Sequence, residues 1–125
     1  MQILLVEDDD ICRDIVEATL SKHGNSVTSV ATGAEAVALL DSGLEPDLLL
    51  TDIQLPGDCD GWLLARLFQD QLPELPVVYI TATHRGAHQV SNSIYLLKPL
   101  RPGLLLQAID AIAPERRDRC PAWLH

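Results

Sequence analysis

Five short apolar runs limit what this chain can fold into. They are Ile3–Val6, Val27–Val30, Asp47–Thr51, Val77–Thr81 and Ile94–Leu97, with room for a helix between each pair. Three of them contain Ile-Leu-Leu-Val, Leu-Leu-Leu and Val-Val-Tyr-Ile, which are continuous rather than alternating. Strands buried on both faces read this way, as in a parallel sheet covered by helices; a half-exposed strand alternates with period two. The intervening segments have helical period. Ile11, Cys12, Ile15, Val16 and Thr19 share one broad face, Arg13, Asp14, Glu17 and Ser21 the other, and Gly24 follows as a stop. Thr32-Gly-Ala-Glu35 has capping-box spacing before Ala36, Val37 and Leu40, and Gly43 ends that pattern. Leu64, Leu67, Phe68 and Leu72 form a third stripe that stops before Pro73. Pro102 suits a first helical position and is followed by Leu105, Ala108, Ile109 and Ile112 on one face. Strands alternating with helices join through right-handed crossovers. The fold class is therefore α/β, a doubly wound five-stranded parallel sheet in three layers.

A length of 125 residues is one domain, and 47% apolar with 22% charged residues is enough for a core without disulfide or metal staples. No internal repeat or linker is visible. Residues 1–113 read as the domain and 114–125 as a polar tail, too short to be an effector. No apolar stretch approaches the roughly 20 residues that span a bilayer, and the start lacks a basic leader, so the expected location is cytoplasmic, away from membranes. A net charge of −9 argues against a nucleic-acid surface, which recruits clustered Lys and Arg. Arg116, Arg117 and Arg119 read as a solvated helix end. Cys12, Cys59 and Cys120 lack metal or redox spacing and read as reduced thiols. Cys12 falls on an apolar face, and Cys59 lies between two aspartates that would blunt its reactivity.

In open α/β sheets, ligands bind beyond the carboxyl ends of the strands. Glu7, Asp8, Asp9 and Asp10 follow the first run, Asp52 the third, Thr81 and Ala82 the fourth, and Lys98 the fifth. One of the early acids can cap the next helix, but capping needs a single carboxylate. Glu7, Asp8 and Asp52 converging in one crevice would repel unless a cation compensated, and hard oxygen donors suit Mg²⁺. Lys98, opposite three acids, is placed to neutralise an oxygen of an incoming phosphoryl group. Thr81 supplies a hydroxyl, and the small Ala82 leaves space beside it.

At this point the chain resembles the receiver domains of response regulators over nearly its full length. The matching segments are Ile-Leu-Leu-Val-Glu7-Asp8-Asp, Leu-Leu-Leu-Thr-Asp52-Ile-Gln-Leu-Pro56, Val-Val-Tyr-Ile-Thr81-Ala82 and Tyr95-Leu-Leu-Lys98-Pro99. The resemblance implies a flavodoxin-like strand order 2-1-3-4-5. It implies that Asp52 takes a phosphoryl group from a histidine kinase or histidine phosphotransfer protein, and that a downstream protein partner reads the result. It further implies Mg²⁺ held by Glu7, Asp8, Asp52 and the backbone carbonyl of Gln54. Lys98 would contact the phosphoryl group, Thr81 would swing toward it, and Tyr95 would turn inward as the switch aromatic. Lys98-Pro99 matches the family's cis peptide. The family makes slow autodephosphorylation, rather than enzymatic turnover, the expectation, and it admits a homodimer. The Met1 start and lack of an effector favour a stand-alone shuttle or partner-binding switch over a receiver cut from a longer chain.

Two departures stand out. Asp52 to Gly61 is nine positions, one more than the common pattern, with the surplus in Gly57-Asp58-Cys59-Asp60. Only seventeen positions separate Thr81 from Lys98, about five fewer than usual for the family. Residues 83–93 are thus expected to hold a very short, irregular or missing helix, in a region that commonly serves as output and dimer surface. His84 and His88 lie there at i, i+4 spacing, but Arg85-Gly86 and the lack of a third ligand argue against a metal site. Trp62 falls on the polar side of its helix, open to surface packing or a partner. A Mg²⁺-dependent phosphohydrolase with an aspartate nucleophile remains the alternative reading. Gln54 stands where such enzymes carry a second aspartate, and argues against it. A flavin or nucleotide module would need a phosphate-accepting loop where this chain has four acids.

Overall fold

A computed structural model describes residues 1–82 and 89–113, and in it all five apolar runs are strands. The order is β1 (Gln2–Val6), α1 (Asp10–Lys22), β2 (Ser26–Val30), α2 (Gly33–Asp41), β3 (Leu48–Asp52), α3 (Gly61–Gln71), β4 (Val77–Thr81), β5 (Ser93–Leu97) and α4 (Pro102–Ile112). The sheet is parallel throughout, with strand order β2-β1-β3-β4-β5. β3 starts one residue later than its apolar run and ends on Asp52 itself.

Side chains alternate across the sheet, and each face has its own core. Leu4, Val6, Leu49, Val77 and Tyr79 pack with Ala36 and Leu40 of α2 and with Leu64 and Phe68 of α3. Ile3, Leu5, Leu48, Leu50, Val78 and Ile80 pack on the other face with Val16, Leu20, Leu105 and Ile109 of α1 and α4. β3 and β4 are buried along their whole lengths, as their continuous apolar runs require.

Helix ends follow their capping chemistry. Asp9, Thr32 and Asp60 each accept a backbone N–H three residues on. Gly24 and Gly43 adopt the left-handed conformation just beyond α1 and α2. The loop after β3 lies against α2. A Cβ on Gly33 would lie 2.5 Å from the Cys59 carbonyl oxygen, so that backbone seats directly on the glycine.

Two expectations need correction. On α1, Ile11 and Ile15 are 74% and 56% exposed, and the core face is Val16 with Leu20. Trp62 is not on a polar surface: its ring centroid lies 4.7 Å from that of Tyr79 and 6.2 Å from that of Tyr95. Between β4 and β5, residues 89–92 are non-helical, and no helix stands there among the described residues. Side chains secure this connection. The Tyr79 hydroxyl accepts the Val90 N–H at 3.3 Å, Gln69 donates to the Leu75 and Ser91 carbonyls, and Asn92 donates to that of Glu74. His84, His88, Arg116, Arg117, Arg119 and Cys120 lie outside the described residues.

The corrected phase of α1 has a measurable consequence. Leu20→Ala should lose about 2–5 kcal/mol of stability. Ile15→Gln should stay within about 0.5 kcal/mol of the parent. Urea unfolding of the two variants checks both; a large loss from Ile15→Gln would restore the broader apolar face.

Candidate functional site

A parallel sheet brings the carboxyl ends of all its strands to one side, so residues far apart in sequence meet there. Glu7 follows β1, Asp52 closes β3, Thr81 closes β4 and Lys98 follows β5. Asp9 is used as the α1 cap, its Oδ1 accepting the Cys12 N–H at 2.8 Å, which leaves Glu7 and Asp8 for other work. Glu7 is fully buried, Asp52 is 3% exposed and Asp8 is open to solvent. One carboxylate oxygen from each of Glu7, Asp8 and Asp52 lies within 4.8 Å of the others.

Lys98 is the cation in this cluster. Its Nζ is 2.9 Å from Asp52 Oδ1, and 3.1 and 3.4 Å from the two Glu7 oxygens. Its backbone N–H donates to the Thr81 carbonyl at 2.8 Å, and the Lys98–Pro99 peptide is cis. The contact with Asp52 is an ion pair without hydrogen-bond geometry, and neither buried Asp52 oxygen has a hydrogen-bond partner among the described residues. Buried carboxylate oxygens normally have such partners, so Asp52 keeps capacity for a ligand beyond its ion pair with Lys98. Three hard oxygen donors against one ammonium fit a divalent cation such as Mg²⁺.

Asp8, Asp52, Gln54, Thr81, Ala82 and Lys98 line an open crevice of about 330 Å³. A larger hollow of about 600 Å³ lies at the amino ends of β3 and β4. Among the described residues, however, only the first crevice adjoins three convergent metal-type ligands. Tyr95 sits to one side of it, half-buried, its ring 6.0 Å from Tyr79. The sequence-based candidates Glu7, Asp8, Asp52, Thr81 and Lys98 thus meet at one end of the sheet, while Tyr95 belongs to the neighbouring aromatic cluster.

Three supporting residues were given no role in the site from sequence. A Cβ on Gly61 would lie 2.1 Å from the Asp52 carbonyl oxygen, and the Gly61 N–H donates to the Ile53 carbonyl at 2.7 Å. Only glycine lets α3 begin so close to the site. Arg13, on the polar face of α1, donates to the Glu7 carbonyl at 2.9 Å. Burial first, and then the hydrogen-bonding pull of the Glu7 carboxylate, push the Cys12 thiol up to about 11. Cys59 is raised as well, by burial more than by Asp60. An i, i+3 Asp10–Arg13 spacing was the available signal for Arg13. For Cys12 there was none beyond its apolar face.

Two outcomes follow. Gly61→Ala should cost about 1–3 kcal/mol by overpacking, measured by thermal unfolding. Native Cys12 should react slowly with iodoacetamide at pH 7–8, and faster as pH nears 11, with peptide mapping to separate the cysteines. An unfolded thiol releases its proton from about pH 9, while the native one holds it to about pH 11. Stability should therefore fall across that window, and Cys12→Ala should flatten the fall.

Comparison with known proteins agrees with this geometry. The response regulator receiver domain family matches residues 3–110. The transcriptional regulatory protein AfsQ1 of Streptomyces coelicolor is 31% identical, over 88% of this chain and 50% of its own length. GltR of Pseudomonas aeruginosa, also a transcriptional regulatory protein, is 36% identical, over 88% of this chain and 48% of its own. The chain thus spans about half the length of these curated relatives. A response regulator receiver protein from Sinorhizobium medicae has a crystal structure that superposes with a TM-score of 0.86 at 35% identity, covering 93% of this chain and 96% of that one. The sheet order and the family match lead to one conclusion: this chain belongs to the response regulator receiver domain family of two-component signalling.

Proposed function

We propose that the chain is a phosphoacceptor switch in which Asp52 takes a phosphoryl group from a phosphohistidine donor. The observation that carries this reading is Asp52 itself: a buried carboxylate ion-paired with Lys98, neither oxygen hydrogen-bonded among the described residues, beside Glu7 and Asp8. An Asp52 oxygen attacks phosphorus, the phosphorus–nitrogen bond to the donor imidazole breaks, and the imidazole keeps the electron pair and gains a proton. The product is an acyl phosphate on Asp52. Lys98, already against the Asp52 carboxylate, offsets charge developing on the transferred group. Glu7, Asp8, Asp52 and the Gln54 backbone carbonyl would hold Mg²⁺, which supplies charge neutralisation at the phosphoryl oxygens.

Thr81 and Ala82 border the crevice, where a hydroxyl and a small side chain can receive the new oxygens. Tyr95 follows Thr81 in turning inward, and the two conformations differ in what they present to a downstream protein. The donor is a histidine kinase or histidine phosphotransfer protein, the setting is cytoplasmic, and loss of phosphate is slow self-hydrolysis rather than turnover. The receiver unit is 1–113, with 114–125 an appended tail.

Incubation with Mg²⁺ and a small phosphoramidate, followed by intact mass measurement, should show one added phosphoryl group in the parent chain and none in Asp52→Asn. Chelation of Mg²⁺ should suppress the gain. An equal gain in Asp52→Asn would remove Asp52 as the acceptor.

A further inference from the structure

Arg13 sits in the first turn of α1, where a cation opposes the helix dipole. A merely solvated arginine would extend away from that end. This one folds back over it, and its side chain is only 20% exposed. Nη1 donates to the Glu7 main-chain oxygen at 2.9 Å, while Nη2 pairs with the Asp10 carboxylate. The Glu7 N–H already donates to the Val30 carbonyl, so the guanidinium provides a partner for the other half of that residue's backbone.

We propose that Arg13 is a positioning residue for the acidic loop 7–10, fixing the backbone from which Glu7 and Asp8 present their carboxylates to a divalent cation. The loop is then held at three points: Glu7 and Asp10 by Arg13, and Asp9 by its cap to the Cys12 N–H. Asp8 lies between pinned neighbours, and its carboxylate direction follows from theirs. Two acceptors set apart suit the planar fork of a guanidinium and not a single ammonium. The inference rests on reading Glu7 and Asp8 as cation ligands.

The sign of the effect separates positioning from charge. If Arg13 acted through charge alone, removing it beside four acids would tighten cation binding, and Arg13→Lys would change nothing. As a positioning residue, its loss weakens binding in both Arg13→Ala and Arg13→Lys, by about 10-fold as for other groups that orient metal ligands. The test is a calorimetric Mg²⁺ titration of the full chain and both variants, with hydrogen exchange of residues 7–10 in the metal-free proteins. Weaker Mg²⁺ binding and faster loop exchange are expected in both variants, with phosphorylation by a small donor recovering at saturating Mg²⁺. An Arg13→Lys chain that matches the parent in affinity and exchange overturns the proposal, as does tighter binding by Arg13→Ala. Failure of the parent itself to bind Mg²⁺ would overturn the reading of the acidic cluster, and the exchange comparison would still decide whether Arg13 holds the loop.

Discussion

The ammonium of Lys98 is the interaction on which the rest of the site depends. It enters from the end of β5, reaches past β4, and contacts Asp52 at the end of β3 and Glu7 after β1. Both carboxylates are buried, and buried charges without partners are costly. One lysine therefore makes two buried acids tolerable, and it can do so only because a parallel sheet delivers three strand ends to the same place. Remove the parallel order and Lys98 would be a surface residue. The backbone reinforces it, since the Lys98 N–H closes on the Thr81 carbonyl.

Most of this arrangement was legible in the sequence because it is written in strand ends. A continuous apolar run followed by an acid, a threonine or a lysine fixes both the strand and the side of the sheet where the polar residue emerges. Capping was equally readable at Thr32 and the glycines beyond α1 and α2, where local chemistry decides; for α1 the sequence left Asp9 and Asp10 open, and Asp9 is the cap. What escaped was decided by packing between elements. On α1 the rows Ile11–Ile15 and Cys12–Val16–Leu20 are both apolar, and adjacent rows differ by one helical step. Only the docking of α1 beside β1 and α4 selects the second. Trp62 escaped for the same reason, since its partners Tyr79 and Tyr95 come from β4 and β5. Arg13 escaped because a long side chain can fold back to a carbonyl six residues earlier.

The short path from β4 to β5 shows how side chains can secure a connection in which no helix is described. Tyr79, Gln69 and Asn92 each bond to the backbone near residues 74–91, and Asn92 takes the left-handed conformation that asparagine tolerates. Trp62, Tyr79 and Tyr95 form a three-ring cluster on the same face of the sheet as α3. Aromatic rings cover large areas with few rotatable bonds, which suits them to closing an edge that carries little chain.

The seat of Cys59 on Gly33 bears on how such a domain tolerates change in length. In the loop after β3, Gly61 abuts the Asp52 carbonyl, and Asp60 caps α3. The middle of the loop rests on α2, at a glycine that has no side chain to resist it. Both ends of the loop keep their anchors while its middle bulges toward a neighbouring helix. Length can thus vary in that middle without being transmitted to Asp52, so a single small residue on α2 works as an expansion joint for the carboxyl edge of the sheet.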